Sequence, residues 1–125
     1  MLAILRQLRD LTEAQRGEPV PGLALERALH VAAGVVLDVG HHVLAGRGQP
    51  IPGTYREVLP ALGRAGVVGA DLVERLDGLA GLRNLLVHDY ADIDRDRLWD
   101  LVDRRLDDLA AAQAAFASLP ELSSR

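Results

Sequence analysis

The segment RNLLVHDY, residues 83–90, concentrates the side chains that could do chemistry. It joins the guanidinium of Arg83, the amide of Asn84, the imidazole of His88 and the phenol of Tyr90 at the end of an otherwise apolar stretch. Arginine stays charged and binds phosphate oxygens in pairs, and histidine exchanges protons near neutral pH. Packing alone does not require such a cluster, so the segment is the candidate functional site.

The spacing within this segment predicts which side chains can act together. On a helix, Asn84 and His88 lie four residues apart and share a face, whereas Arg83 and His88 lie five apart and diverge by roughly 140°. Arg83 aligns with Tyr90 if the helical phase continues. One copy of the chain therefore cannot easily close around one phosphate, but two copies related by a twofold axis could bring two arginines and two histidines into one cleft.

A structural interpretation stands beside the functional one. Asn84 and His88 could satisfy the last carbonyls of the helix, where the helix dipole favours a histidine. Tyr90 could pack its ring against the end of the bundle.

A metal site is a weaker interpretation of the second helix. Asp38 and His42 lie four residues apart and could face the same way, with His41 and His30 nearby. Two ligands without a convincing third are more often a local hydrogen-bonded pair, so no metal is predicted.

Apolar residues recur at three- and four-residue spacing along the chain, which predicts an all-α fold. The first helix is expected over about residues 1–16, ending at the breaker cluster of residues 17–22. A long, apolar helix follows over residues 23–45, and residues 46–53 form a loop. Thr54 and Glu57 have the spacing of a capping box that starts a short helix, which Pro60 should end or bend within two turns.

The second half of the chain should contribute two more long helices. One is expected over about residues 71–87, and the other over about residues 95–118, capped by Asp92 or Asp94. The last residues, 120–125, are expected to fray. The prediction is a single domain over residues 1–125, an antiparallel bundle of four main helices plus a short one.

Three features of the predicted helices leave alternatives open. The charges of the last helix favour a solvated face with i,i+4 pairs, with a partner surface as the alternative. Trp99, the only tryptophan, is either a core or dimer anchor or a partner contact. Gly34 and Gly40 indicate close helix approach within the chain or across a dimer.

Composition limits the classes of protein to consider. The 125 residues include 14 basic side chains, all arginine, and 18 acidic ones, for a net charge of −4. The stretch 89–108 holds 8 Asp and 4 Arg and so carries the whole deficit, which makes it a plausible surface for a basic partner. The absence of cysteine excludes disulfides and thiolate sites. With no signal peptide and no run of about 20 apolar residues, we expect a soluble cytoplasmic protein without membrane contact.

RNLLVHDY resembles the signature of the HepT toxins within the HEPN superfamily of helical ribonucleases. Residues 26–45 are similar to the family's long second helix, and residues 50–68 and 72–84 are similar to its linker and its approach to the motif. The resemblance implies a homodimeric, metal-independent endoribonuclease that needs no cofactor and is the toxin of a toxin-antitoxin system. The implied partners are an RNA substrate and an antitoxin of the MntA-like minimal nucleotidyltransferase type.

The resemblance also implies a role for each residue of the motif. Arg83 and His88 are the catalytic pair, Asn84 helps to shape the site, and Tyr90 is the hydroxyl to which the antitoxin attaches AMP. Two other classes of function remain open: a catalytically silent helical subunit that docks and regulates a nucleotidyltransferase, and a purely structural helical dimer.

Overall fold

The computed structural model describes residues 1–88 and 93–123, and the regular secondary structure of these residues is entirely helical. The predicted all-α helical bundle is therefore confirmed. In chain order the elements are α1 (Leu2–Arg9), α2 (Glu13–Arg16), α3 (Pro19–Gly46), a 3₁₀ turn (Tyr55–Glu57), α4 (Val58–Arg64), α5 (Ala70–Arg75), α6 (Leu79–His88), α7 (Arg95–Ala117) and α8 (Pro120–Ser123).

The long helix α3 forms the centre of the bundle. It packs against α1, α4, α6 and α7, and its buried residues include Leu25, Leu29, Val36 and Leu37. By length and composition alone α3 could cross a membrane, but 56% of its most apolar window is buried inside the fold. Its apolar character therefore reflects burial against other helices on several sides, as predicted for a central helix.

The prediction of a single first helix over residues 1–16 is wrong. Helix α1 ends at Arg9, and Thr12 begins α2 with a capping box. The Thr12 hydroxyl accepts a hydrogen bond from the Gln15 backbone N–H at 3.2 Å, and the Gln15 side chain accepts one from the Thr12 N–H at 2.8 Å. The cap satisfies two N–H groups that a new helix start leaves unpaired, which stabilises the break.

The start of α3 also differs from the prediction. The helix begins at Pro19 rather than near residue 23, so two of the supposed breakers, Pro19 and Pro21, lie in its first turn. The first N–H groups of a helix have no intrahelical acceptor, so a proline there sacrifices no hydrogen bond and its fixed φ suits the helix.

Pro60 is tolerated for the same reason as Pro19 and Pro21, because it lies in the first turn of its helix. Helix α4 runs from Val58 through Pro60 to Arg64, so Pro60 neither ends nor breaks it. The predicted capping box is absent: Thr54 makes no side-chain cap bond, and the Glu57 carboxylate accepts a hydrogen bond from the Gly53 N–H at 3.1 Å instead.

The expected helix over residues 71–87 is two helices, α5 and α6, joined by a turn at Gly78. Gly78 has φ +88°, a left-handed conformation that favours glycine. The apolar stripe is nevertheless continuous across the turn, because Leu72, Leu76, Leu79 and Leu86 are all buried.

Helix α7 closely matches the range predicted for the last helix. Asp94 caps it by accepting hydrogen bonds from the N–H groups of Asp96 and Arg97 at 3.0 and 3.4 Å, whereas Asp92 lies outside the described residues. Trp99 is a core residue of this chain, with 7% of its surface exposed. Residues 120–123, expected to fray, form the short helix α8.

The acidic face of α7 joins other helices of the same chain. Three carboxylates, those of Asp103, Asp107 and Asp108, pair with arginines of other helices, and Asp100 pairs with Arg104 on α7 itself. Part of the negative charge of α7 is therefore paired with arginines of the same chain, beyond the i,i+4 pairing that the sequence predicts.

Candidate functional site

The described part of the candidate site is centred on Arg83, in the middle of α6. Its guanidinium carbon lies 4.4 Å from the centre of the Tyr55 ring. On the side of α3, a Cβ placed on Gly34 would lie 3.8 Å from the Arg83 Nε. The arginine side chain is thus half-buried between the 3₁₀ turn and the central helix. A cation over an aromatic face is attracted by the ring quadrupole, so the ring fixes the guanidinium by its face.

Tyr55 is itself held to the central helix. Its hydroxyl donates a hydrogen bond of 2.6 Å to the carboxylate of Asp38 on α3. This bond is the main reason that the pKa of Tyr55 is raised above its usual value, followed by burial and the negative charge of Asp38, while the positive charge of Arg83 acts in the opposite direction. The phenol therefore stays protonated at neutral pH and remains a donor.

Arg83 has no carboxylate partner among the residues that the structure describes. The ion pairs of the described residues engage Arg9, Arg16, Arg75, Arg95, Arg104 and Arg105, but not Arg83. Its Nε is buried and has no hydrogen-bond partner among the described residues. A buried donor without an acceptor is rare in proteins and is consistent with an acceptor supplied by a ligand. The arrangement suits an anion such as a phosphate.

The glycines of α3 show which helices approach it. At Gly40 a Cβ would lie 2.7 Å from Leu62 Cδ1 and 3.0 Å from Val58 Cγ1, so α4 crosses α3 at this point. The close approach predicted from the glycines is therefore confirmed within one chain at Gly40. Around Gly34 the space is larger, and the nearest side chain is Arg83 itself.

A cavity of about 270 Å³ opens beside the Tyr55 ring. It is lined by Asp38, His41, Pro52, Gly53, Thr54 and Tyr55. Asp38 therefore lines this cavity while its carboxylate accepts the tyrosine hydroxyl hydrogen. No group of three or more His, Cys, Asp or Glu side chains suited to a metal occurs in residues 1–88 and 93–123.

The other predicted site residues lie on or beyond α6. Asn84 is exposed, next to Arg83, and His88 is the last residue of the helix. Because the helix persists to His88, the backbone places Arg83 and His88 five residues apart on one helix. Tyr90 lies outside the described residues.

Sequence reasoning did not identify Tyr55, and it assigned Asp38 only to a weak metal hypothesis. The residues around Arg83 lie at positions 34, 38 and 55, far from the motif in the chain. The available signal was slight: Tyr55 is one of two tyrosines and stands in the loop that follows the central helix.

An all-α bundle whose penultimate long helix carries an arginine without a carboxylate among the described residues defines a class of helical proteins with a candidate anion site. Comparison with known proteins then identifies the family. The family described as "Ribonuclease HepT-like" matches residues 1–115 of this chain, so the chain belongs to the HepT-like ribonuclease family.

Two curated relatives agree with this membership. The chain is 30% identical over 77 residues to the tRNA nuclease HepT of Aphanizomenon flos-aquae, a match that covers 62% of this chain and 52% of the relative. It is 28% identical over 72 residues to the mRNA nuclease HepT of Shewanella oneidensis, covering 58% of this chain and 54% of the relative. The chain thus matches about half the length of each relative.

Solved structures share the fold. A chain from the crystal structure of a toxin-antitoxin with AMP-PNP superposes with a TM-score of 0.83 at 18% identity, covering 94% of this chain and 89% of that chain. A chain of the tri-AMPylated Shewanella oneidensis HEPN toxin in complex with MNT antitoxin gives 0.82 at 19% identity with the same coverage. The cytosolic protein of unknown function YutE from Bacillus subtilis gives 0.70 at 26% identity, covering 98% of this chain and 80% of YutE.

Proposed function

We propose that this protein is the toxin of a toxin-antitoxin system and acts in the cytoplasm as a metal-independent endoribonuclease. The observation that carries the proposal is the environment of Arg83 on α6. Its guanidinium lies over the Tyr55 ring and has no carboxylate partner among the described residues, and its buried Nε has no hydrogen-bond acceptor there. Membership of the HepT-like ribonuclease family supports the choice of RNA as the source of the anion.

Arg83 supplies the cation of the proposed reaction. Attack of the ribose 2′-hydroxyl on the adjacent phosphorus forms a crowded phosphorane that carries more negative charge than the ground state. A guanidinium fixed beforehand stabilises this charge as it develops and needs no reorganisation during the reaction. Two parallel N–H donors can engage two phosphate oxygens.

His88 supplies the proton transfers. One imidazole takes the proton of the 2′-hydroxyl, and an imidazolium gives a proton to the departing 5′-oxygen, so the phosphodiester bond breaks without a metal ion. A group with an unperturbed pKa near 6.5 is suited to both steps. Asn84, exposed beside Arg83, helps to shape the site.

Two copies of the chain complete the proposed site. Arg83 and His88 are five residues apart on α6, so their directions differ by roughly 140°. A homodimer with a twofold axis between the α6 helices brings Arg83 of one copy towards His88 of the other. Mixing the inactive Arg83→Ala and His88→Ala variants is then expected to restore part of the cleavage, because the mixed dimer unites intact residues. No recovery in a verified mixed dimer would contradict the composite site.

The proposed antitoxin is a minimal nucleotidyltransferase that modifies Tyr90. The tyrosine oxygen attacks the α-phosphate of ATP, pyrophosphate leaves, and AMP remains on the ring. The added bulk and negative charge two residues from His88 would repel an RNA backbone. Mass spectrometry of the co-expressed pair should find AMP-mass adducts on Tyr90 that disappear in Tyr90→Phe. An adduct-free protein from an active pair would contradict this part.

The decisive experiment measures cleavage of purified tRNA and mRNA by the wild type, Arg83→Ala and His88→Ala. Both variants should lose cleavage and growth arrest while keeping their helical circular dichroism and dimer mass. The exposed arginine of α4 provides the matched control Arg64→Ala, which should cleave normally. Unchanged cleavage in both site variants would contradict the proposal. A protein that binds a nucleotidyltransferase but never cuts RNA would instead be the catalytically silent docking subunit.

A further inference from the structure

We propose that Tyr55 and Asp38 are positioning residues, which hold the Arg83 guanidinium in the orientation that receives the phosphate. This inference rests on the proposed function for its kinetic consequences, but its geometric content concerns only residues of this chain. The three side chains form one chain of contacts from the central helix to α6: Asp38 to the Tyr55 hydroxyl at 2.6 Å, and the Tyr55 ring to Arg83 at 4.4 Å.

The ring is a better support for a phosphate-binding arginine than a carboxylate would be. A carboxylate forms hydrogen bonds with the guanidinium N–H groups and cancels the charge that a phosphate needs. An aromatic ring contacts the flat face of the guanidinium and leaves its N–H donors, which lie in the guanidinium plane, for another acceptor. Tyr55 therefore immobilises Arg83 without neutralising it.

Gly34 defines the other side of this support. The Arg83 Nε approaches the position that a Cβ on Gly34 would occupy to 3.8 Å, so the side chain lies against the central helix where that helix carries no side chain. The guanidinium is thus confined by Tyr55 and by α3, and its rotamer freedom is reduced before any ligand binds. Such preorganisation keeps a reacting group in a productive orientation.

Asp38 acts through the tyrosine. Its carboxylate accepts the hydroxyl hydrogen and so fixes the ring, which comes from the short 3₁₀ turn, to the long central helix. A phenol that donates to a carboxylate also has a more electron-rich ring, which binds a cation more strongly. The residues at positions 38 and 55 therefore serve Arg83 together, although neither is placed in contact with the RNA.

The kinetic test compares Tyr55→Phe, Tyr55→Leu and Asp38→Asn. Tyr55→Leu removes the ring and should lower kcat about 100-fold, because misplacing a catalytic group by about 1 Å can have an effect of this size. Tyr55→Phe keeps the ring and loses only the bond to Asp38, so kcat should fall no more than about tenfold, and Asp38→Asn should match Tyr55→Phe. KM should change less than kcat in all three.

The chain offers a matched control in its second arginine over an aromatic ring. The guanidinium carbon of Arg16 on α2 lies 4.7 Å from the centre of the Trp99 ring on α7. Trp99→Phe disturbs that contact and the core, and it should lower the melting temperature without changing kcat. Equal kcat values for Tyr55→Leu and the wild type would overturn the proposal, as would a kcat for Tyr55→Phe as low as that for Tyr55→Leu.

A second measurement does not depend on ribonuclease activity. In ¹⁵N-labelled protein, the Arg83 Nε–H resonance should be shifted by the ring current of Tyr55 and show a high order parameter. Tyr55→Leu should lose both properties, and Tyr55→Phe should retain most of the shift. If Tyr55→Leu leaves the resonance unchanged, the positioning role is overturned. If the wild type cuts no RNA but the resonance responds as expected, the proposed function fails while the support of Arg83 by Tyr55 stands.

Discussion

Arg16 and Arg83 both lie over aromatic rings, yet their surroundings differ. Arg16 is 4.7 Å from the centre of the Trp99 ring and donates two hydrogen bonds to Asp103, at 2.9 and 2.8 Å, and one of 2.8 Å to the backbone carbonyl of Arg9. Arg83 is 4.4 Å from the centre of the Tyr55 ring, and its Nε has no acceptor among the described residues. The guanidinium of Arg16 thus makes three hydrogen bonds within the chain, whereas the buried Nε of Arg83 makes none with the described residues.

The difference shows that the group bound by the nearby aspartate determines the role of each arginine. Around Arg16, the hydrogen bond with Asp103 is the main cause that raises the pKa of the arginine and lowers the pKa of the aspartate. This bond ties α2 to α7. Around Arg83, the acid Asp38 binds the tyrosine hydroxyl instead of the guanidinium. The Arg16 site connects two helices, whereas the Arg83 site holds a guanidinium that no carboxylate of the described residues neutralises.

A carboxylate placed beside Arg83 would remove the main difference between the two arginines. Gly34→Asp would place one within reach, because a Cβ at this position lies 3.8 Å from the Arg83 Nε. We expect RNA cleavage to fall about 100-fold relative to Gly34→Asn, since the ion pair occupies the donors that stabilise the transition state. The asparagine variant has the same size without the charge. Equal cleavage rates for the two variants would show that the absence of a carboxylate is unimportant.

Gly40 and Gly34 of α3 differ in the space that surrounds them, and substitutions at the two positions should differ in their effect on stability. Gly40→Ala should lower the free energy of unfolding by about 1–2 kcal/mol, because its Cβ would meet the buried Leu62 and Val58 at 2.7 and 3.0 Å. Gly34→Ala makes only an ordinary contact and should gain up to about 1 kcal/mol of helix propensity. Urea denaturation of both variants measures the difference. A stabilising Gly40→Ala would mean that α4 can move away.

The two arginines should also differ in their contribution to stability. Arg16→Ala removes a two-point ion pair and a ring contact, and we expect it to lower the free energy of unfolding by about 1–2 kcal/mol. The value is modest because 46% of the Asp103 side chain is exposed. Arg83→Ala should change the same quantity by about 1 kcal/mol or less, since it loses the ring contact and the packing against α3 but no carboxylate among the described residues. Equal losses in the two variants would contradict the division of roles.

The smallest expected effect is a pH dependence at the Arg16 site. The pKa of Asp103 is lowered in the folded protein, first by its hydrogen bond with Arg16, so the folded state binds a proton less readily than the unfolded state. The stability from this pair is present above the unfolded pKa of about 3.9 and is lost as the pH falls through the folded pKa. Asp103→Asn should therefore lose less stability than the wild type between about pH 5 and pH 2. Identical acid profiles would exclude the pair as a source of acid sensitivity.

Prediction from the sequence succeeded where the signal was local or periodic. The spacing of leucines gave the helical class, and the Asp94 cap gave the start of α7. It failed where a residue type has two uses: Pro19, Pro21 and Pro60 lie in first turns of helices rather than ending them. Prolines restrict a helix only where an N–H is needed, and a sequence does not state where the first turn falls.

The residues of the candidate site also fall into two groups, those that the sequence indicated and those that only the structure revealed. The segment of residues 83–90 drew attention through its residue types, whereas Tyr55 and Asp38 have ordinary surroundings in the sequence. Their link to Arg83 exists because the chain returns from the loop after α3 and places the 3₁₀ turn against α6. A contact between residues 28 positions apart leaves no periodic mark in the sequence.

The helical class, the charge balance and the cluster of Arg83, Asn84, His88 and Tyr90 can be read from the sequence, because periodicity, composition and local spacing are properties of the chain alone. Which arginine is paired with a carboxylate depends on the fold. Arg16 and Arg83 have the same side chain and the same intrinsic charge. Folding gives Asp103 to the first and the Tyr55 ring to the second, and this difference leaves the Arg83 Nε on α6 without an acceptor among the described residues.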